Sequence, residues 1–324
     1  MDSQENSVSL SRKHYNVRYP YTRENEKAMR GLEQQVSNMF DLAHETPETT
    51  QGKTCLELGC GTGEETFLLV KKYGLQVTAI ELNESSLVLA RKLMEDYNFT
   101  DKVTFLNQDL HSFDLGSNVQ FDFVLSKGVI HHLHTPSRAV LKALSHLRPG
   151  GKCMFRVNWL YGWMFKKDTL VNFAMLKLLN IFIPDRGKRM SVGERWFYNR
   201  RSKGGGLEKQ LVIEDIFGSV YKPMRLVTFL KWFKQTGVIY RNSYPNHALK
   251  SLLEIDYKFS RPREGERLAR KIVRLLVLKT GLADLFRSSS FLSRTLVQFL
   301  YMFILRNQLT LIVIGQKKTE EEVT

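Results

Sequence analysis

The sequence contains little cysteine. Its 324 residues include only Cys55, Cys60 and Cys153, which form neither a CxxC pair nor a spacing typical of metal ligands. So small and odd a number argues against a disulfide framework and is typical of a protein from a reducing compartment. We therefore predict no disulfide and no metal site.

Long apolar runs are also missing. A helix that crosses a membrane needs roughly 20 apolar residues. The best candidates, Thr295–Leu305 and Val171–Pro184, are too short, and the second contains Lys177. Residues 1–13 are polar and lack the apolar segment of a secretory signal. These absences predict a cytoplasmic protein, with peripheral contact to a membrane left open.

Positive charge is scarce in the first half of the chain and abundant in the second. Residues 1–150 hold 16 Lys and Arg against 19 Asp and Glu, whereas residues 151–324 hold 32 against 14. A basic half indicates an anionic partner, such as a membrane surface, a nucleic acid or a phosphorylated substrate. A solvated basic surface without a partner would have the same composition, so charge alone leaves these alternatives open.

Between residues 54 and 158, short apolar strands alternate with helical segments. This alternation predicts a parallel sheet with helices on both faces. The predicted strands are Thr54–Leu58, Gln76–Glu81, Val103–Asn107, Phe121–Ser126 and Lys152–Asn158, and the predicted helices are Glu64–Lys72, Glu84–Tyr97 and Pro136 to about Leu147.

Outside that region the pattern is less regular. It predicts an amphipathic helix that begins at Thr22, a loop at Thr46–Lys53, a helix at Pro223–Thr236 and strands at Val238–Ser243 and Gln308–Gly315. The chain is therefore divided into an N-terminal segment (1–21), a core (22–158, continued in 223–245), a cap insertion (159–222), a helical basic insertion (246–306) and a last core strand with a tail (307–324).

Polar and glycine residues mark the ends of three successive strands. Gly59, Gly61 and Gly63 follow the first strand, where glycine allows a sharp turn and a close backbone approach to a ligand. Glu81 ends the second strand and could accept hydrogen bonds from ribose hydroxyls, and Asp109 follows the third and could accept from an adenine amine. A glycine-rich turn alone fits a dinucleotide site equally well. The three features in order indicate a ligand at the carboxyl edge of the sheet.

Residues 54–158 resemble the class I S-adenosylmethionine-dependent methyltransferases. The segment 56–63, Leu-Glu-Leu-Gly-Cys-Gly-Thr-Gly, matches the first motif of that family almost letter for letter. The segment 121–133 ends in His-His-Leu and resembles the fourth motif of a common subgroup of small-molecule methyltransferases, and 147–151 resembles the turn before the fifth strand.

The resemblance implies S-adenosylmethionine as the cofactor and a Rossmann-like sheet of seven strands that ends in an antiparallel pair. The two long insertions would form a mainly helical, basic cap. The cofactor-binding residues that the resemblance implies are Glu57 for the amino group, Gly59, Gly61 and Gly63 under the methionine part, Glu81 for the ribose, Asp109 for the adenine edge with Leu110 supplying backbone, and Ser126 and Lys127 from the fourth motif.

His131 and His132 are the candidate catalytic residues. They lie just past the fourth strand, beside the expected sulfonium, and an oxygen or nitrogen acceptor needs its proton removed by a base of near-neutral pKa. Either histidine could instead line the site or pack structurally. With His134 they could form a metal site only if adjacent loop histidines pointed the same way, which is rare, so none is predicted.

Two further segments could contact a ligand or a membrane. Tyr15, Tyr19 and Tyr21 precede the first helix and could fold over the cofactor or anchor their segment on the core. Residues 266–279 form a basic amphipathic pattern that suits either an anionic membrane surface or a cap helix packed on the core.

The apolar, aromatic cap favours a small hydrophobic or lipid-like acceptor, methylated on oxygen, nitrogen or carbon. The alternative is an RNA (tRNA) methyltransferase whose basic half binds phosphates. Nucleic acid is the less favoured partner, because no RNA-binding module is recognisable and residues 126–129 read Ser-Lys-Gly-Val rather than Asn-Pro-Pro-Tyr. A non-catalytic cofactor-binding subunit and a nicotinamide-dependent oxidoreductase are also conceivable, but the intact motifs disfavour the first and the glycine spacing the second.

Overall fold

The computed structural model describes residues 26–158, 224–244 and 310–322. The predicted N-terminal segment, cap insertion and basic insertion lie outside these described residues. Within them, no helix is both long and apolar enough to cross a membrane.

Seven strands and six helices make up the described core. The helices are α1 (Glu26–Leu42), α2 (Pro47–Thr50), α3 (Glu64–Tyr73), α4 (Glu84–Asp96), α5 (Pro136–Ser145) and α6 (Leu226–Thr236). The strands are β1 (Thr54–Leu58), β2 (Gln76–Glu81), β3 (Val103–Asn107), β4 (Phe121–Lys127), β5 (Leu147–Asn158), β6 (Val238–Tyr244) and β7 (Thr310–Lys317). Short 3₁₀ turns lie at Thr100–Lys102, Ile130–His132 and Glu320–Glu322.

The strands form one mixed sheet in the order β3-β2-β1-β4-β5-β7-β6. The first five pair in parallel, and β7 runs antiparallel to both of its neighbours. The predicted seven-stranded Rossmann-like sheet with a final antiparallel pair is thus confirmed. Because the strand order reverses between β1 and β4, a crevice opens at their carboxyl ends, where open α/β sheets bind ligands.

Helices cover both faces of the sheet, and each face has its own apolar core. On one face α1, α3 and α4 bury Val36, Met39, Phe40, Phe67, Leu69 and Leu87. On the other face α5 and α6 bury Val140, Leu144, Phe229, Trp232 and Phe233. In β1 and β4, successive residues enter the two cores alternately, which explains why apolar residues predominate in these central strands.

Two local predictions are wrong. The predicted loop at residues 46–53 contains the one-turn helix α2, because Thr46 and Thr49 form a reciprocal capping box and Pro47 occupies the first helical turn. The fifth strand begins at Leu147 rather than Lys152, since Leu147 pairs with Phe121 of β4 before the register shifts. Helix α5 accordingly ends at Ser145.

Candidate functional site

The glycine loop between β1 and α3 has two packed glycines and one open glycine. A Cβ on Gly59 would lie 2.5 Å from Val129 Cγ2, and a Cβ on Gly63 would lie 2.8 Å from Ala90 Cβ. A Cβ on Gly61 would meet no atom within 4 Å, although its backbone is left-handed with φ of +56°. Gly59 and Gly63 therefore allow close packing of the loop, whereas Gly61 faces open space in which a ligand could lie.

Glu81 holds this loop against the end of β2. Its Oε2 accepts a hydrogen bond from the backbone N of Gly61 at 3.0 Å, and its Oε1 accepts one from the backbone N of Asn83, also at 3.0 Å. Burial raises the pKa of the Glu81 carboxyl, and these backbone donors oppose the rise. The residue predicted to bind a ribose thus also fixes the glycine loop, a role that the sequence did not suggest.

Glu57 presents a buried carboxyl group near the end of β1, two residues before Gly59. It is 1% exposed, and its Oε2 accepts a hydrogen bond from Thr66 Oγ1 at 2.6 Å. Its Oε1 has no hydrogen-bond partner in the described part of the chain. Burial, followed by the charge of Glu65, raises the pKa of Glu57 to about 8. A buried oxygen without a donor usually indicates a water or ligand group that completes the site.

Lys127, one of the predicted cofactor residues, is held by Glu65. The Lys127 Nζ lies 3.3 Å from Glu65 Oε2, and both side chains are largely buried. Burial raises the pKa of Glu65, while Lys127 and Arg156 lower it. Arg156 is the register partner of Lys127 on β5. Sequence reasoning missed Glu65 because an acidic residue in the first turn of a helix is ordinary.

Ser126 and Leu110 contribute little side-chain surface to the site. Ser126 is fully buried, and its hydroxyl donates to the backbone O of Leu58 at 3.1 Å, which ties β4 to β1. Leu110 is 6% exposed and packs in the core beneath α5 and α6. Any contact with a ligand would therefore come from their backbone atoms, as the resemblance implied for Leu110.

Asp109 lies just past β3, as predicted, and is bonded to a histidine that sequence reasoning missed. Its Oδ1 accepts hydrogen bonds from the backbone N of His111 at 2.9 Å and from His111 Nδ1 at 2.8 Å. The backbone N of Thr135 lies 3.4 Å from His111 Nε2. The Asp-x-His spacing could have indicated the contact between Asp109 and His111. The contact between His111 and Thr135 spans 24 residues, so no local sequence pattern indicates it.

His131 and His132 lie in the 3₁₀ turn after β4. Their ring centroids are 4.2 Å apart, His131 is 2% exposed, and His132 is partly exposed. The burial of His131 fits the structural role left open above, whereas His132 is the more accessible of the two.

The carboxyl ends of β1, β2, β3 and β4 thus bring together the glycine loop, three acidic side chains and the histidine turn. The buried carboxylate of Glu57 can take a cationic or hydrogen-bond donating group, and Glu81 can accept from hydroxyls at the end of β2. Such an arrangement suits an elongated ligand with an amino group at one end and polar ring substituents at the other.

Comparison with known proteins supports this description. Residues 56–155 match the family model described as a methyltransferase domain. A malonyl-[acyl-carrier protein] O-methyltransferase of Priestia megaterium is 30% identical over 101 residues, which cover 31% of this chain and 35% of the relative. A ubiquinone biosynthesis O-methyltransferase of Coxiella burnetii is 27% identical over 107 residues, which cover 33% and 44%. The chain therefore spans less than half the length of these relatives.

Among solved structures, PKMT2 from Rickettsia typhi is similar with a TM-score of 0.52 and 12% sequence identity, over 90% of this chain and 52% of that one. At such low identity the similarity shows the fold alone.

Proposed function

We propose that this protein transfers a methyl group from S-adenosylmethionine to a small hydrophobic or lipid-like acceptor. The premise is the match of residues 56–155 to the model of a methyltransferase domain. The single observation that carries the methyl donor is the buried Oε1 of Glu57 in β1, two residues before Gly59, which lacks a donor among the described residues. The ammonium group of the cofactor, directly or through a water, is the kind of donor that this oxygen requires.

The residues present fit the cofactor. When bound, S-adenosylmethionine supplies a methyl group already activated on a sulfonium, so the protein has mainly to position the acceptor. In this proposal Glu57 accepts from the ammonium and the open side of Gly61 lies under the methionine part. Glu81 accepts from the ribose hydroxyls, and Asp109 with the backbone of Leu110 holds the adenine edge.

A base is needed only if the acceptor atom carries a proton. His131 and His132 are the candidates, since the turn that carries them follows β4 at the carboxyl edge of the sheet. The partial exposure of His132 favours it as the group that takes the proton, and the burial of His131 favours a supporting role. Replacement of His132 by asparagine tests this assignment. If His132 is the base, the variant loses turnover at neutral pH but still binds the cofactor.

The class of acceptor is supported by two relatives, which are named as a malonyl-[acyl-carrier protein] O-methyltransferase and a ubiquinone biosynthesis O-methyltransferase. The segments proposed to form the acceptor pocket, 159–222 and 246–306, lie outside the part of the chain that the structure describes. One observation favours a second candidate, an RNA methyltransferase: residues 151–324 carry 32 Lys and Arg against 14 Asp and Glu.

Transfer of labelled methyl groups from S-adenosylmethionine into a fractionated cell extract separates these candidates. We expect label in the organic-soluble fraction, which would support a hydrophobic acceptor. Label confined to the RNA fraction would replace that choice with the second candidate. Absence of transfer into every fraction, together with absence of S-adenosylmethionine binding in calorimetry, would contradict the proposed activity.

The open side of Gly61 provides a direct test of the cofactor position. Gly61→Ala places a methyl group on a residue with a left-handed backbone, which costs about 1–2 kcal/mol of stability. The methyl group also fills the space proposed for the methionine part of the cofactor. We expect the affinity for S-adenosylhomocysteine to fall about tenfold, or 1.4 kcal/mol. Gly52→Ala is the matched control, because Gly52 has φ of +75° and an equally open Cβ position at the opposite end of β1. Equal affinities of the two variants would place the cofactor elsewhere.

A further inference from the structure

A chain of hydrogen bonds through His111 links two loops at the ligand-binding edge. The Oδ1 atom of Asp109 accepts from the backbone N and from the ring Nδ1 of His111. The opposite ring nitrogen, Nε2, faces the backbone N of Thr135. The loop after β3, which carries the proposed adenine contact, is thereby joined to the residue that begins α5.

The two partners determine which ring nitrogen carries the hydrogen. A carboxylate oxygen only accepts, so Nδ1 of His111 donates to Asp109, and a backbone N–H only donates, so Nε2 accepts from Thr135. The tautomer is thus assigned from the hydrogen-bond pattern. Because the His111 side chain is 9% exposed, little water competes for either contact.

The contact between His111 and Thr135 lies close to the histidine turn. Thr135 is the N-cap of α5 but makes no capping hydrogen bond with its own side chain. Only two residues separate it from the turn Ile130–His132. A fixed backbone at Thr135 therefore restricts the path of the turn on which the candidate catalytic histidines lie.

We propose that His111 is a positioning residue that couples the adenine side of the cofactor site to the histidine turn on the acceptor side. A ligand that contacts Asp109 stabilises the carboxylate orientation that His111 requires, and His111 in turn holds Thr135. The inference rests on the proposed function, since it takes Asp109 as the adenine contact. Coupling between two such sites typically changes affinity by about 5–150-fold.

Hydrogen exchange of the segment 129–136, with and without S-adenosylhomocysteine, measures this coupling in the full-length protein. The wild-type segment exchanges more slowly when the ligand is bound. His111→Asn keeps a short donor for Asp109 but does not reach Thr135, so we expect its affinity to stay within about threefold of wild type. The ligand-dependent slowing of exchange should nevertheless be lost. His111→Leu removes both side-chain contacts, to Asp109 and to Thr135, and the affinity of this variant for S-adenosylhomocysteine should fall about tenfold.

His146→Asn is the matched control. His146 is also buried, and its Nδ1 lies 2.8 Å from the backbone O of Val119, ten residues beyond Asp109 and at the opposite end of α5 from Thr135. This variant should retain wild-type slowing of exchange. If His111→Asn also retained the ligand-dependent slowing of exchange, the coupling would be overturned. Equal loss of thermal stability with and without ligand would likewise show that the role of His111 is only structural. If the wild-type protein did not bind the ligand in calorimetry, the proposed function itself would fail, which is a separate and recognisable result.

Discussion

Glu57→Gln makes the cofactor-free protein more stable above pH 7 and weakens its binding of S-adenosylmethionine. Glu57 is buried, and its pKa is raised from 4.5 to about 8 by burial and by the neighbouring charge of Glu65. Glutamine is isosteric, can still accept from Thr66 and never ionises. It therefore removes the buried charge that Glu57 takes on as pH rises, and with it the negative group that a bound cofactor ammonium would stabilise.

The sign of the pH dependence follows from proton linkage. Between pH 4.5 and about 8 the folded protein holds a proton on Glu57 that the unfolded chain has released. The free energy of unfolding therefore falls as pH rises through this window, by at most about 1.4 kcal/mol per pH unit. Because Glu57 and Glu65 titrate as an interacting pair, the decline is spread over the window. Over the window from 4.5 to about 8, this slope gives an upper limit of about 5 kcal/mol for the difference between variant and wild type at pH 8.5.

Urea unfolding at half-unit pH intervals from 5 to 9, without cofactor, measures this effect. Glu95→Gln is the control, since Glu95 is exposed on α4 and should reproduce the wild-type slope. In the same buffers, calorimetry should show that Glu57→Gln loses about 1.5–3 kcal/mol of cofactor binding, the scale of hydrogen bonds to charged groups. Parallel pH profiles for Glu57→Gln and wild type would mean that Glu57 is ionised throughout, and the proposed environment would be wrong.

Glu81→Ala reduces the affinity for S-adenosylmethionine by about 1.5–3 kcal/mol, through the loss of hydrogen bonds between a carboxylate and the ribose hydroxyls. The structure adds a second consequence. The substitution leaves the backbone N–H groups of Gly61 and Asn83 without their acceptor. The glycine loop then loses one of its attachments to β2, while Gly59 and Cys60 still donate to the backbone O of Ile80. We therefore expect a lower melting temperature as well as weaker binding.

Two further variants separate the effects of Glu81 on ligand and loop. Glu81→Gln keeps one acceptor oxygen for the loop and should recover part of the melting temperature but little of the affinity. Glu84→Ala is the control, because its side chain is 58% exposed and pairs with Arg91. Calorimetry that found full affinity in Glu81→Ala, despite a lower melting temperature, would show that Glu81 holds the loop and does not bind the ribose.

Much of the fold could be predicted because its signals are local. The strands β1, β2 and β3 have the predicted bounds, and Gly74 ends α3 in a left-handed residue as expected. The start of β5 was missed because it depends on pairing between Leu147 and Phe121, which residue patterns do not encode. Helix α2 was missed because its capping signal is confined to one turn and resembles a polar loop.

The main residues of the candidate site could be predicted from the sequence, but most of their hydrogen-bond and ion-pair partners could not. The glycine loop, Glu57 and Glu81 follow from position at strand ends and from the resemblance of segment 56–63 to a known motif. Their partners do not, because Glu65 and His111 are defined by contacts to residues of β4 and α5 that are distant in sequence. Nor does the sequence show that the Ser126 hydroxyl ties β4 to β1, because a motif identifies the residue type and not its hydrogen-bond partner.

The position of β7 has a consequence for synthesis of the protein. Residues 310–317 insert between β5 and β6, so the edge of β5 stays unpaired until the ribosome has added residues 159–309 and then β7 itself. At about 5–20 residues per second, that interval lasts on the order of 10–30 s. An apolar strand edge exposed for so long can pair with another nascent chain. The completed sheet avoids this hazard because β7 pairs with β5, whereas in the growing chain a chaperone bound to this edge would prevent such pairing.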